Sequence, residues 1–309
     1  MENIENKIEK EKGVNVQLVL HILRHGDRNL DGTLEEYGRD RTKEKAKKSH
    51  LAGERFDAVK SFGSTAGPKT TIEGEDMEMQ RSLETAYIFG REIAGDELYK
   101  TRPRDVLNYE TMVLEMPFDY LEIHEDFANE YIRDVLKYEN KSFDDLSDDE
   151  KKKVSEYADA KSVEHLMNLS TENATDTRKE IAGSFAVLIK RYARMVQEKL
   201  RSNQKLLFPL GSHTGMIEPF LAETVVWKDK DGNEMHGATL EEIGGNFKPS
   251  EGFDIILKTD QNGELEQVRI RFDDQTRLGG EVYLDMRKID EFAEFYNELH
   301  DEENDGSVS

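Results

Sequence analysis

The 309-residue chain contains no cysteine, and its 43 basic residues are outnumbered by 66 acidic ones. Each shortage removes a class of explanation. Without cysteine there is neither a disulfide framework nor a thiolate metal centre. A formal charge of −23 is the wrong sign for a general nucleic-acid binder, whose affinity comes from a basic face against phosphates. It also works against docking on an anionic membrane. No apolar run approaches the roughly 18 residues of a membrane span. The opening "MENIENKIEKEKG" is charged and lacks the apolar stretch of a secretory signal. The composition therefore predicts a cytoplasmic protein with no nucleic-acid or membrane partner.

What is present has a recognisable order. The length suffices for one large domain with a sizeable core. Residues 1–12 read as a charged flexible arm, 13–300 as a single α/β domain, and 301–309 ("DEENDGSVS") as a disordered tail. Val14 to Leu23 is a Val/Leu/Ile-rich run ending in a glycine turn, the pattern of a buried parallel strand. Thr42 to Phe62 reads as a polar helix. Asp76 to Ala94 reads as a helix with Leu83, Ala86, Tyr87, Gly90 and Ile93 on one face, stopped by Gly95. From about 125 to 176 the chain becomes heavily charged, with Ser147 and Glu150 spaced as a capping box, and reads as a helical insertion over the core.

Thr177 to Asn203 carries the longest amphipathic stripe, and Leu206 to Leu210 is a second short apolar strand. Near the end, "GFDIILKTDQNGELEQVRIRF" reads as a hairpin turning at Asn262-Gly263, and 285–300 as a final helix. This alternation predicts a three-layer α/β sandwich: a mainly parallel central sheet flanked by helices, with an antiparallel piece near its end.

In open α/β sheets ligands bind at the carboxyl ends of the strands. Both predicted strands run into a histidine there, His25 in "LRHGDR" and His213 in "GSHTG". A helix starting after His213 would turn its first amides toward the same crevice, where they favour an anion. Arg24 and Arg28 flank His25, and Arg81 opens the "RSLETA" helix. Arginines beside a histidine make a planar, permanently charged clamp suited to a tetrahedral dianion.

"LRHGDR" at 23–28, "QRSLETA" at 80–86 and "GSHTG" at 211–215 resemble, in order, the three signatures of the histidine phosphatase superfamily, on its phosphoglycerate-mutase-like branch. The resemblance spans about residues 14–225. It implies a metal-independent phosphomonoester hydrolase with no cofactor, acting on a small phosphoester. His25 would be the nucleophile that becomes phosphohistidine, Arg24 and Arg81 would hold the phosphate oxygens, and His213 would complete the pocket. The family draws the leaving group's proton from a Glu or Asp between the second and third motifs. Within "LNYETMVLEMPFDYLE" Glu115 best fits that pattern, with Glu110 second and Glu122 also available.

The departures matter. Mutase-type members carry Ser or Thr where Arg28 stands, so Arg28 either adds a third arginine to the clamp or pairs on the surface with Asp27 or Asp31. The "HD" pair of the acid-phosphatase branch is missing, because Thr214 follows His213. A mutase that returns the phosphoryl group to substrate, a phosphate-binding interaction module, and metal-dependent hydrolysis through His25, Asp27 and His213 are the competing readings. The remaining histidines read as structural. Lys43, Lys45, Lys47, Lys48, Arg102 and Arg104 are candidates for a basic mouth.

Overall fold

The computed structural model describes residues 12–65, 67–72, 77–98, 104–107, 120–138 and 140–305. In chain order its elements are β1 (Gln17–Arg24), α1 (Glu36–Lys48), β2 (Ala58–Val59), β3 (Phe62–Ser64), β4 (Lys69–Thr71), β5 (Glu78–Gln80), α2 (Arg81–Leu98) and β6 (Arg104–Leu107). Next come α3 (Tyr120–Glu130), a π-helical turn at Tyr131–Val135, α4 (Asp148–Asn168), α5 (Glu172–Glu198), β7 (Lys205–Ser212), α6 (Ile217–Thr224), β8 (Val225–Lys228) and β9 (Glu234–His236). The chain closes with α7 (Leu240–Ile243), β10 (Gly252–Lys258), β11 (Arg269–Phe272), β12 (Val282–Leu284) and α8 (Met286–Asp305). Among the described residues no helix is long and apolar enough to cross a membrane.

One large sheet runs in the order β6-β3-β7-β1-β10-β11-β12-β8-β9, with β2 also on β7. The half that holds the motif strands β1 and β7 is parallel, and from β10 outward the strands are antiparallel. Alternation along β1 splits the core into two layers, as the two-residue strand period requires. Leu18, Leu20 and Ile22 face α5, α6 and α8, whereas Val19 and Leu23 face α1 and α2. Pro209, in a central strand, stands opposite His21 in the β1–β7 ladder, and on its other side it falls between the residues that pair with β2 and those that pair with β3.

The helix expected over 42–62 ends at Lys48 instead. Ser49 is extended, Gly53 turns with φ +82°, and the apolar residues beyond it join the sheet as β2 and β3. The helix expected from Asp76 begins at Arg81, after the short strand β5, and Gly95 breaks it at φ 67° as expected. The last helix continues to Asp305, into the segment read as a tail. Residues 1–11 and 306–309 lie outside the described residues.

The charged stretch folds as α3, the π turn and α4. The Ser147–Glu150 capping box is formed, and a small apolar cluster of its own is built from Ala128, Ile132, Leu146, Val154 and Ala158.

One buried polar group crosses the sheet. His21 Nδ1 sits 2.9 Å from Asp254 Oδ1, while His50 Nε2 and the Arg271 guanidinium reach Oδ2. His21 and Asp254 are fully buried, and the His21 ring stacks on Phe89 at 4.1 Å. Burial alone would lower the His21 pKa, but the charges of Asp273 and Asp254 and the Asp254 hydrogen bond raise it above its ordinary 6.5. Burial likewise pushes the Asp254 carboxyl up, and its hydrogen bonds from His21 and His50 bring it well below the usual carboxylate range. The His21 contribution to stability is therefore complete below pH 6.5 and fades as pH rises through the raised value. The Asp254 contribution is complete above pH 3.8 and fades as pH falls through the depressed one. Asp254→Asn should cost about 3 kcal/mol, because removing one charge strands its buried partners. Urea denaturation at pH 6 checks this, and a loss under about 1 kcal/mol would contradict it.

Candidate active site

The parallel register of β1 with β7 sets Leu23 beside Gly211 and Arg24 beside Ser212, and the His25 amide donates to the Ser212 carbonyl at 2.9 Å. The residues that follow each strand therefore emerge side by side. The rings of His25 and His213 lie 5.1 Å apart, edge to face at 61°, and both are buried.

Helix α2 starts directly over these strand ends, and two glycines permit the approach. A Cβ on Gly211 would stand 1.8 Å from the Ser82 carbonyl oxygen, and one on Gly63 would stand 2.4 Å from Leu83 Cα. Thr85 fastens the junction: its Oγ1 accepts from the Gly26 amide at 3.0 Å and donates to the Arg81 carbonyl at 2.7 Å. Arg81, first in the helix, is thereby carried to the pocket, where Nη1 donates to the Gly32 carbonyl at 3.0 Å. The Glu84 carboxylate pairs with Arg39, so it is not a partner for Arg81 within the helix.

His25 Nδ1 lies 2.7 Å from the Gly26 carbonyl oxygen. A carbonyl only accepts, so Nδ1 carries the hydrogen and Nε2 presents a lone pair. Burial, followed by the charges of Arg81, His213 and Arg24, lowers the His25 pKa well below 6.5. His213 is lowered in the same way by burial, Arg81, Arg24 and Arg28. Both imidazoles are neutral at neutral pH, so an anion entering the pocket meets guanidinium charge and an unprotonated nitrogen. An NMR titration of the imidazoles should find His25 and His213 still neutral at pH 6.5 and His21 mostly protonated there. The opposite ordering would contradict this electrostatic arrangement.

Arg24 is aimed by residues far along the chain. Its Nη1 donates to the Phe247 carbonyl at 2.6 Å, and the Phe247 amide donates to Glu218 Oε1 at 2.9 Å. Arg277 braces the same loop by donating to the carbonyls of Ile243, Gly245 and Asn246, with its guanidinium 4.0 Å from the Phe247 ring centroid. Glu218 also corrects an expectation. Its buried carboxylate accepts from the Gly215 amide and the Thr214 hydroxyl at the start of α6, so its own charge occupies the helix end expected to receive an anion.

Arg28 takes neither of the neighbours considered for it. Asp27 pairs with Arg41, Asp31 accepts from Thr33, and Arg28 Nη2 donates to Asp159 Oδ2 of α4 at 2.7 Å. Its charge nonetheless reaches His213. The fold thus gathers Arg24, His25, Arg81 and His213, with Arg28 farther out, a third exposed beside Asn29, Asp31, Glu35 and Lys152. Glu115 and Glu110 lie outside the described residues, and Glu122 is exposed at the start of α3. Lys43, Lys47 and Lys48 form ion pairs with Asp40, Glu92 and Glu44. Among the described residues no cluster of three or more His, Asp or Glu has the geometry to hold a metal.

No protein-family model matches the sequence, and no curated protein matches it. Solved structures similar to it include the apo phytase of Hafnia alvei, at 12% identity over 92% of this chain and 96% of that one, TM-score 0.43. A mycobacterial glucosyl-3-phosphoglycerate phosphatase is similar at 14% identity over 83% and 97%, TM-score 0.33. A Klebsiella phytase is similar at 11% identity over 91% and 94%, TM-score 0.42.

Proposed function

We propose that this protein is a phosphomonoester hydrolase that works through a phosphohistidine on His25. The observation that carries the reading is the His25 ring itself: Nδ1 is locked to the Gly26 carbonyl, and Nε2 is free to attack beside Arg24, Arg81 and His213. The resemblance of the three motifs to the histidine phosphatase superfamily points the same way.

The chemistry divides into two displacements. In the first, the Nε2 lone pair attacks phosphorus, the bond from phosphorus to the ester oxygen breaks, and that oxygen leaves with a proton from a carboxyl group. In the second, water attacks the phosphohistidine, the phosphorus–nitrogen bond breaks, and the water's proton returns to the carboxylate. The transition state of phosphoryl transfer is loose, with charge on the equatorial oxygens, so fixed guanidinium donors supply most of the stabilisation. Arg24, Arg81 and Arg28 take that role. His213, kept neutral by burial and the arginine charges, donates to a phosphoryl oxygen once the dianion offsets that positive charge. Glu115, with Glu110 behind it, is the sequence's choice for the carboxyl group.

A panel of phosphomonoesters with product analysis tests the reading. Free phosphate should accumulate, and its release should be insensitive to chelators. Isomerised ester without free phosphate would point to a mutase instead. Binding of phosphate without turnover on any ester would reduce the chain to an interaction module.

A further inference from the structure

A line of three side chains joins the pocket to the helical insertion. Arg28 stands just past β1, Asp159 on α4, and His124 on α3. Arg28 Nη2 donates to Asp159 Oδ2 at 2.7 Å, and Asp159 Oδ1 lies 3.1 Å from His124 Nε2. Each carboxylate oxygen thus has its own partner, and the Asp159 side chain is only 17% exposed. This single carboxylate fixes the outer edge of the Arg28 guanidinium. Nε and Nη1 still hold three further N–H donors on the same rigid plane.

The surroundings set which way Asp159 points. Its neighbour Ala158 is buried in the insertion's own apolar cluster with Ala128, Ile132 and Val154. That cluster holds the middle of α4, while Leu166 near its end packs into the main core. The helix is then seated on the pocket's rim by polar contacts: Lys152 pairs with Glu35, and Asn246 donates to the Ala160 carbonyl at 3.2 Å. Asn246 precedes Phe247, the residue whose carbonyl aims Arg24. The electrostatic reach agrees with this placement. Burial would raise the Asp159 carboxyl, but His124, Arg28 and, to a smaller extent, Arg24 bring it below its ordinary value.

We propose that Asp159, steadied by His124, is a positioning residue that holds Arg28 with Nε and Nη1 directed at the phosphoryl oxygens, making the helical insertion a working part of the phosphate pocket. The proposal rests on the pocket assigned under Proposed function, but it concerns phosphate binding and not turnover. An arginine tethered on one edge loses less rotamer freedom when it meets the anion, so the gain appears as affinity.

The test is a double-mutant cycle read by calorimetric binding of inorganic phosphate to the full chain. Asp159→Ala should weaken phosphate about tenfold, the loss of one charge-assisted contact. Arg28→Ala should weaken it at least as much, and the double variant should match Arg28→Ala within about twofold. Asp159→Asn keeps the size and one accepting oxygen. It should show a smaller loss, and it carries the cycle if Asp159→Ala disturbs the circular dichroism spectrum. Unchanged binding in the Asp159 variants, or losses that multiply in the double variant, would overturn the proposal. A wild-type chain that shows this coupling but hydrolyses no ester would refute the phosphatase reading and leave the positioning role standing. A phosphatase without the coupling would do the reverse.

Discussion

Replacing His25 with alanine should lower phosphomonoesterase activity by about four orders of magnitude or more while leaving the thermal transition within a few degrees of wild type. The size of the effect follows from the pocket. His25 Nε2 is the lone pair that the locked tautomer leaves available, and its neighbours Arg24 and Arg81 carry positive charge that can attract an anion but cannot attack it. His213, 5.1 Å away, is a second neutral imidazole, but it follows the other strand and faces the His25 ring edge to face. The fold should survive, because the ring ends a strand whose packing is carried by Leu18 to Leu23. Steady-state assays on the best ester of the panel, with calorimetric melting alongside, measure both quantities. Activity within tenfold of wild type would remove His25 from the nucleophile's role.

Gly211→Ala should destabilise the protein by about 3 kcal/mol or more. The added Cβ would stand 1.8 Å from the Ser82 carbonyl oxygen, which belongs to the rigid first turn of α2 and cannot move as a side chain does. Either β7 or the start of α2 must shift. Arg81 sits at that start, so phosphate binding should fall together with stability. Denaturant melts and phosphate titration on the same preparation check both, and a variant within 1 kcal/mol of wild type with intact phosphate affinity would contradict the close approach. At Gly53, by contrast, a Cβ would meet nothing within 4 Å, and only the positive φ would register.

These two positions mark what the sequence made legible. The strand that delivers His25, the strand that delivers His213 and the helix that delivers Arg81 announce themselves through apolar runs ending at glycine. The capping box of α4 and the turn at Asn262-Gly263 are local signals of the same kind. The helix misread over 42–62 failed for a local reason too. Its polar first half is helical, but the apolar residues after Gly53 are too few to break the helical pattern, although they pair with β7. Most of the rest was out of reach because it depends on long-range contacts. Arg24 finds its carbonyl at Phe247, Arg28 finds its carboxylate 131 residues away, and no periodicity connects them. Glu218 offered one usable clue, a carboxylate in the first turn of the helix after "GSHTG". Such a group is as well placed to cap its own helix as to leave the end open.

The most direct test of the central claim is a rapid-quench experiment with a phosphate-labelled ester, followed by mapping of the protein-bound label. The covalent mechanism predicts a phosphoryl group on His25 that is labile in acid and stable in alkali, that forms before free phosphate is released, and that is absent from His25→Ala. Turnover with no protein-bound phosphate at any quench time, or a label on another residue that persists in His25→Ala, would contradict it.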